Sequence, residues 1–237
     1  MPGGFRNQPK IQRGAFVEYG LSIPPLAVVF QFNPLELSRS RSQSFSVPSW
    51  ALNEEYHLLS LREFHQRFAD LTELREAQDV KVEPESLSFD IRLDATDRLN
   101  DGDAQTGLFG IAPQLATLEL LMEPKSESEL GAVVDDVRQQ LGRGGKPGFT
   151  FTGTSKPPMV LFIWGFKRVL PVNINSMQIT ETEFSPLLAP TRATVAVNLT
   201  VIEGVNAPYR YSKVMKEVMS AQQLASSRET IEMVIPG

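Results

Sequence analysis

The sequence predicts an α+β protein, mainly antiparallel β, built as a tube-like β-barrel or sandwich with flanking helices. Three observations predict it. Leu87, Phe89, Ile91 and Leu93 alternate with Ser88, Asp90 and Arg92, the period of a strand with one buried face. Ala193, Val195, Val197, Leu199 and Val201 alternate with Thr194, Ala196, Asn198 and Thr200 over a longer stretch. Elsewhere, apolar residues recur at spacings of three and four within charged segments, which is the helical period.

The first predicted strand is Leu26–Phe32, almost continuously apolar and closed by Asn33-Pro34; such a run suits a strand buried on both faces, or a short core helix. A helix is predicted over 54–76, where Leu58, Leu61, Phe64, Phe68, Leu71 and Leu74 form one stripe. Strand 87–93 follows, and then a helix over 108–122 carrying Leu108, Ile111, Leu115, Leu118 and Met122. A third helix is expected over 127–141, with Ser126 and Glu129 as a capping box and the glycine-rich GRGGKPG at 142–148 as a linker. Met159–Trp164 is a second doubly apolar strand, ended by Gly165.

Residues 168–203 predict a long, bent antiparallel hairpin with Pro186 and Pro190 in its connection. Val172 and Ile174 share one parity, Met177 and Ile179 the other. A one-residue slip of this kind, here at Asn175-Ser176, is the mark of a β-bulge. The tail predicts a helix from about 209 to 226. The domain layout is then a β-barrel domain over 1–205 with helical insertions near 54–76 and 108–141, and a helical tail over 206–237. Doubly apolar strands in an antiparallel sheet call for a cover, either a helix or a neighbouring subunit.

Composition narrows the function. The chain has 237 residues and a formal net charge of −5, with 41% apolar and 22% charged residues. These are the proportions of a soluble globular chain, and the acidic balance argues against a broad nucleic-acid footprint. Zero cysteines exclude disulfides, thiolate zinc sites and cysteine nucleophiles. No apolar stretch suits a signal peptide or a membrane span, so cytoplasmic assembly is expected, with neither membrane insertion nor nucleic acid among the partners.

Catalytic templates fail in turn. A calcium loop begun at Asp97 places Gly102 correctly but puts Leu99 and Leu108 at ligand positions, which leaves Asp90, Asp94, Asp97, Asp101 and Asp103 as a solvated turn. GRGGKPG lacks the first glycine of a phosphate loop, with Gln140 in its place, and has Pro147 where Ser or Thr would hold magnesium. His57 and His65, eight apart on the 54–76 helix, lack zinc spacing. No GxSxG elbow is present. No catalytic residue, cofactor or metal is expected. Ser38-Arg39-Ser40-Arg41-Ser42 puts both arginines on one face if it is a strand. They would form either a comb facing a partner's acids or a charged guard on an exposed edge.

Four segments, in order, carry a family resemblance: FQFNPLELSRSRS at 30–42, LSFDIRLDATD at 87–97, PPMVLFIWGF at 157–166 and SPLLAPTRATVAVNLTVIE at 185–203. Together the sequence resembles the tube-type domain of contractile injection systems, a family of the baseplate hub of phage-tail-like particles that is often followed by a LysM module. The matching features are Phe32-Asn33-Pro34, the strand from Phe89 to Asp94, Pro157-Pro158 to Trp164-Gly165, and Pro190 to Ala193. The 54–76 insertion and the absence of LysM-like sequence after residue 205 depart from the family.

The resemblance implies a structural protein, not an enzyme, assembled as a homo-oligomeric, hexameric ring that joins the central spike to the inner tube or a tube initiator. Other baseplate or sheath proteins would surround it, and the assembled particle would be intracellular or released. The subunit-interface residues it implies are Phe32, Asn33, Arg39, Arg41, Trp164 and Arg192. Two alternatives come from the residues: a glycan- or peptide-binding β-barrel with Trp164, Tyr209 and Tyr211 as stacking platforms, and a hydrolase using the Asp90–Asp103 cluster through Asp94 and Asp97.

Overall fold

The structure is a computed structural model describing residues 12–20, 26–123 and 157–226. It contains two compact units, Met1–Ser38 with Leu87–Gly237, and Arg39–Ser86. In chain order the strands are β1 Gly14–Glu18, β2 Ala27–Val29, β3 Ser38–Ser40, β4 Gln43–Ser46, β5 Asp79–Val82, β6 Ser86–Asp94, β7 Val160–Trp164, β8 Val169–Phe184 and β9 Pro190–Val201. The helices are α1 Leu61–His65, α2 Leu71–Ala77, α3 Thr96–Asn100, α4 Ala104–Phe109, α5 Ala112–Leu120 and α6 Ala207–Ser226. The expected helix over 127–141 and linker at 142–148 lie outside the described residues.

The fold class is α+β with a large, mainly antiparallel sheet. Its seven strands run in the order β2-β1-β7-β8-β9-β6-β3, with β1 antiparallel to β2 and β7, β7 to β8, and β8 to β9. The end of β6 lies beside the start of β9, because the Ala95 N–H donates to the Thr191 carbonyl at 2.8 Å. The sheet is not closed into a barrel; β2 and β3 stand at its two ends, unpaired with each other.

What curls this open sheet is its core. Phe16 on β1, Phe30 just after β2, Phe89 on β6 and Phe162 on β7 form a quartet in which every pair of ring centroids lies between 5.2 and 6.4 Å. Phe89 comes from a strand separated from β7 by β8 and β9, so its contact with the other rings requires the sheet to bend around them. Each aromatic pair adds about 0.5–1.5 kcal/mol beyond the area it buries. Ile111, Leu115, Leu118 and Leu121 bring α5 onto the same core.

The hairpin β8–β9 follows its pattern closely. Ala193, Val195, Val197, Leu199 and Val201 are all buried. The ladder shifts register between Ile174 and Ser176, so Asn175 is bulged, as the parity slip requires. Pro190 opens β9 rather than lying in the connection.

Several expectations need correction. Leu26–Phe32 is not a doubly buried strand: only Ala27–Val29 pairs, at the sheet edge, with Val28 and Phe30 buried and Val29 61% exposed. In β7, Val160 and Phe162 are buried, but Leu161, Ile163 and Trp164 are only half-buried and Met159 is exposed. The doubly apolar run there reflects a partly covered second face. In the tail, α6 is fixed to β8 by Ser212, whose buried hydroxyl accepts from the Val169 N–H at 2.9 Å and donates to the Val169 carbonyl at 2.6 Å. Asn206 caps this helix, accepting from the Tyr209 N–H at 2.9 Å.

The predicted 108–122 helix is broken. Gly110 has φ 56°, and the kink lets the Ile111 N–H donate to the Pro190 carbonyl at 2.8 Å. A Cβ at Gly110 would run into that carbonyl.

In the second unit, β4 and β5 form a two-stranded ribbon, and the predicted 54–76 helix is two short ones. Ser60 forms a capping box with Glu63 at the start of α1, and the Asp70 side chain caps α2 by accepting from the Thr72 N–H. Caps inside an apolar stripe start new helices, since each supplies an acceptor to a first-turn N–H. Upstream, the Asn53 side chain accepts from the Glu55 and His57 N–H groups, making a turn at Tyr56 with φ 60°. His57 therefore lies in a turn and His65 ends α1, not on one long helix. The stripe itself is real: Phe64 is buried with Phe68 and Leu74 packed around its cluster.

Replacing Phe162 with alanine should destabilise the protein by about 3–5 kcal/mol in urea unfolding, since it removes the ring that touches three others. Gly14→Ala should cost about 1–3 kcal/mol, because its Cβ would stand 2.6 Å from the Phe30 ring and 2.9 Å from Trp164.

Candidate functional site

Three of the four resembling segments meet at one open groove of about 1030 Å³ in the first unit. Its floor is the outward face of β6 and β9. Alternation sends Leu87, Phe89, Ile91 and Leu93 inward, so Ser88, Asp90, Arg92 and Asp94 line the groove; from β9 come Arg192, Thr194, Ala196 and Asn198. One wall is the segment after β2, with Phe32, Asn33, Pro34, Leu35 and Glu36. The floor is polar and finely grained, while Phe32 and Leu35 leave an apolar rim in solvent.

The wall is positioned by two side-chain amides. Gln31 donates from Nε2 to the Asp94 carbonyl at 2.6 Å, and its Oε1 accepts from the Asp94 N–H at 2.8 Å. Asn33 accepts at Oδ1 from the Gly14 N–H at 2.9 Å and donates from Nδ2 to the Gln12 carbonyl at 2.8 Å. Each amide thus satisfies a backbone donor and a backbone acceptor, as a neighbouring strand would. The alternating side chains, Phe30 inward and Phe32 outward, follow from that strand-like path.

Arg192 ties the floor to the hairpin arm. Its Nε donates to Asp94 Oδ2 at 2.9 Å, and its Nη1 to Glu183 Oε1 at 2.5 Å, directly across the hairpin. The Asp94 carboxyl is held below its ordinary range, first by its hydrogen bond with Thr96 and then, against an opposing effect of burial, by further bonding to Thr96 and Arg192. Asp94 Oδ1 accepts the Thr96 N–H at 2.8 Å as the chain turns into α3. Asp103 caps α4 through the Gln105 N–H and takes the Thr106 hydroxyl; the Thr106 bond is the main cause lowering its pKa. These carboxylates of the predicted solvated turn are engaged as caps and a clamp, and among the described residues no group of three or more His, Asp or Glu could hold a metal.

Of the six interface candidates, the groove gathers Phe32, Asn33 and Arg192. Arg192 is paired within its own chain. Trp164 is half-buried on the core, its ring stacked on Phe162 at 5.9 Å. Arg39 and Arg41 belong to the second unit; Arg39 lies on β3, 3.7 Å from the nearly buried Glu85, whereas Arg41 falls beyond the strand, so the two do not form a single-strand comb. The expected stacking platforms do not converge in solvent either, for Trp164 and Tyr209 pack on the core and only Tyr211 is well exposed.

Sequence reasoning missed Gln31, Glu183 and Ser212. Gln31 had a visible signal: an amide interrupting an apolar run needs partners if the run is buried.

No helix among the described residues is long and apolar enough to cross a membrane. No protein-family model matches the chain, and no curated protein matches it.

Gln31→Ala should destabilise the fold by about 1–3 kcal/mol in chemical denaturation by stranding the Asp94 backbone pair. Asp94 has a lowered pKa in the folded state, so its contribution is present above its ordinary value of 3.8 and lost as pH falls below it through the folded value. Asp94→Asn should therefore flatten the stability-versus-pH curve on the acid side below about pH 4; an unchanged acid limb would rule out this role.

Proposed function

We propose that this chain is a structural assembly protein: a ring-forming baseplate component of a contractile injection particle, joining the central spike to the inner tube. The observation that carries the reading is the convergence at one groove of three segments that resemble the tube-type domain, with the fourth supplying β7, an interior strand of the sheet. The groove has the character of a docking surface rather than a reaction site. Its charged groups at Asp94 and Arg192 neutralise each other, and its rim presents Phe32 and the almost fully exposed Leu35.

Exposed apolar side chains also gather on other elements, including Val29 on the edge strand and Phe184, Leu187 and Leu188 at the hairpin tip. Exposed apolar side chains set next to one another, as at this tip, are a mark of interaction surfaces. The reading includes six copies, contacts with a spike protein and an inner-tube or tube-initiator protein, neighbouring baseplate or sheath proteins, and assembly in the cytoplasm. It includes no catalysis and no cofactor.

Light scattering with negative-stain imaging of the same sample tests it. The expected result is a ring near six subunits with a central hole, either alone or after addition of purified spike and tube proteins from the same particle. A monomer under all of these conditions would overturn the reading. Phe32→Ser with Leu35→Ser should abolish ring formation while shifting folding stability by no more than about 0.5 kcal/mol for each exposed site.

A further inference from the structure

The outward side of α6 carries a second apolar pattern that the fold does not use. Ser212, buried against β8, fixes one side of the helix. On nearly the opposite side of the 3.6-residue turn lie Ala207, Tyr211, Val214, Val218 and Ala221, spaced four, three, four and three apart, and all five are exposed. Alternating spacings of four and three are the a and d positions of a heptad, the seam by which one helix packs along another. A surface helix needs only one apolar face to pack on its own fold, so this seam is spare. Tyr211 is held on it by its hydroxyl, which donates to the Phe166 carbonyl at 2.6 Å.

The residues beside the seam decide what it fits. Along one edge stand Arg210 and Glu217, exposed, seven residues apart and opposite in sign. Neither side chain has an ion-pair partner among the described residues. Along the other edge stand Met215 and Gln222, without charge. In a parallel pair of such helices unlike edges meet, so Arg210 and Glu217 would face only Met215 and Gln222. In an antiparallel pair like edges meet, and Arg210 of each copy reaches Glu217 of the other, giving two ion pairs. That register also sets Ala207 against Val218 and Val214 against Tyr211, so every layer places a smaller side chain opposite a larger one. Sliding by one heptad would instead bring the two Glu217 carboxylates together.

We propose that α6 pairs with α6 of a second copy in a two-fold, antiparallel helix contact. The seam is complementary to its own sequence reversed, in one direction and one register. That property selects a copy of the same chain, because a surface kept for a different protein has no need of it. The contact is isologous and closes at two copies. It therefore cannot generate a ring and does not depend on the ring reading.

The chain has no cysteine, so introduced ones report the pairing directly. Ala207→Cys and Val218→Cys chains, mixed under mild oxidation, should give the mixed disulfide dimer. Each variant alone should give little, since two copies of the same position lie about 16 Å apart along the helices. Sedimentation equilibrium of the intact chain up to about 1 mM should show a monomer–dimer equilibrium. Arg210→Glu and Glu217→Arg should each weaken it about fivefold, and a chain carrying both should restore it with the signs exchanged. Val214→Ser with Val218→Ser should weaken it at least tenfold. Circular dichroism melts matching the parent would confirm that each variant folds. Same-position disulfides outnumbering the mixed one, no dimer at any concentration tried, or association indifferent to these substitutions would overturn the proposal. Rings that form without the mixed disulfide would sink this inference and leave the ring reading standing; α6-linked dimers that never form rings would do the reverse.

Discussion

Two side-chain amides hold the open sheet in its curled form where no ladder does. A barrel closes by pairing its first and last strands, which leaves no edge; here β2 and β3 do not pair. Instead the chain just after β2 reaches Asp94 at the end of β6 through both polar atoms of Gln31, while Asn33 turns back to Gln12 and Gly14 before and at the start of β1. Inside, the four phenylalanines supply the attraction that bends the sheet. A phenylalanine cluster is non-directional and would tolerate several registers. The amides are directional and accept only one, so they convert a collapsed sheet into a defined wall.

The groove is a consequence of that wall. Because Gln31 and Asn33 point to backbone partners, Phe32 between them is forced outward, and Leu35 follows the turn into solvent. Arg192 then binds Asp94 and Glu183 together across β6, β9 and β8. As partly exposed ion pairs these are worth little stability, on the order of 0–1 kcal/mol each, but they fix the positions of the floor and of the hairpin base. The same hairpin continues beyond the groove to an apolar tip, where Leu187 and Leu188 are exposed. The proposed assembly role rests on this surface, in which Asp94 and Arg192 bond each other beside an apolar rim.

The strands were legible where one face is buried. Leu87 to Leu93 and Ala193 to Val201 alternate because the core demands it, and the Asn175 bulge showed in the parity slip before it. The doubly apolar runs misled because apolar residues also occupy half-covered faces and an edge, as Val29 does. The long helices misled for a local reason. A stripe of Phe64, Phe68 and Leu74 reports packing, which two helices in sequence satisfy as well as one; Ser60, Asp70 and Gly110 were the residues that decided the breaks. At the groove, Phe32, Asn33 and Arg192 were found through resemblance, whereas Gln31 and Glu183 act through partners 63 and 9 residues away. The first of those distances in sequence leaves no periodic trace.

Amide hydrogen exchange by NMR tests the clamp most directly. The Asp94 and Gly14 amides should be protected in the parent chain, with Gln31→Ala releasing Asp94 and not Gly14, and Asn33→Ala releasing Gly14 and not Asp94. Amides that exchange freely in the parent, or that stay protected in both variants, would contradict the claim that these two side chains stand in for the missing strand.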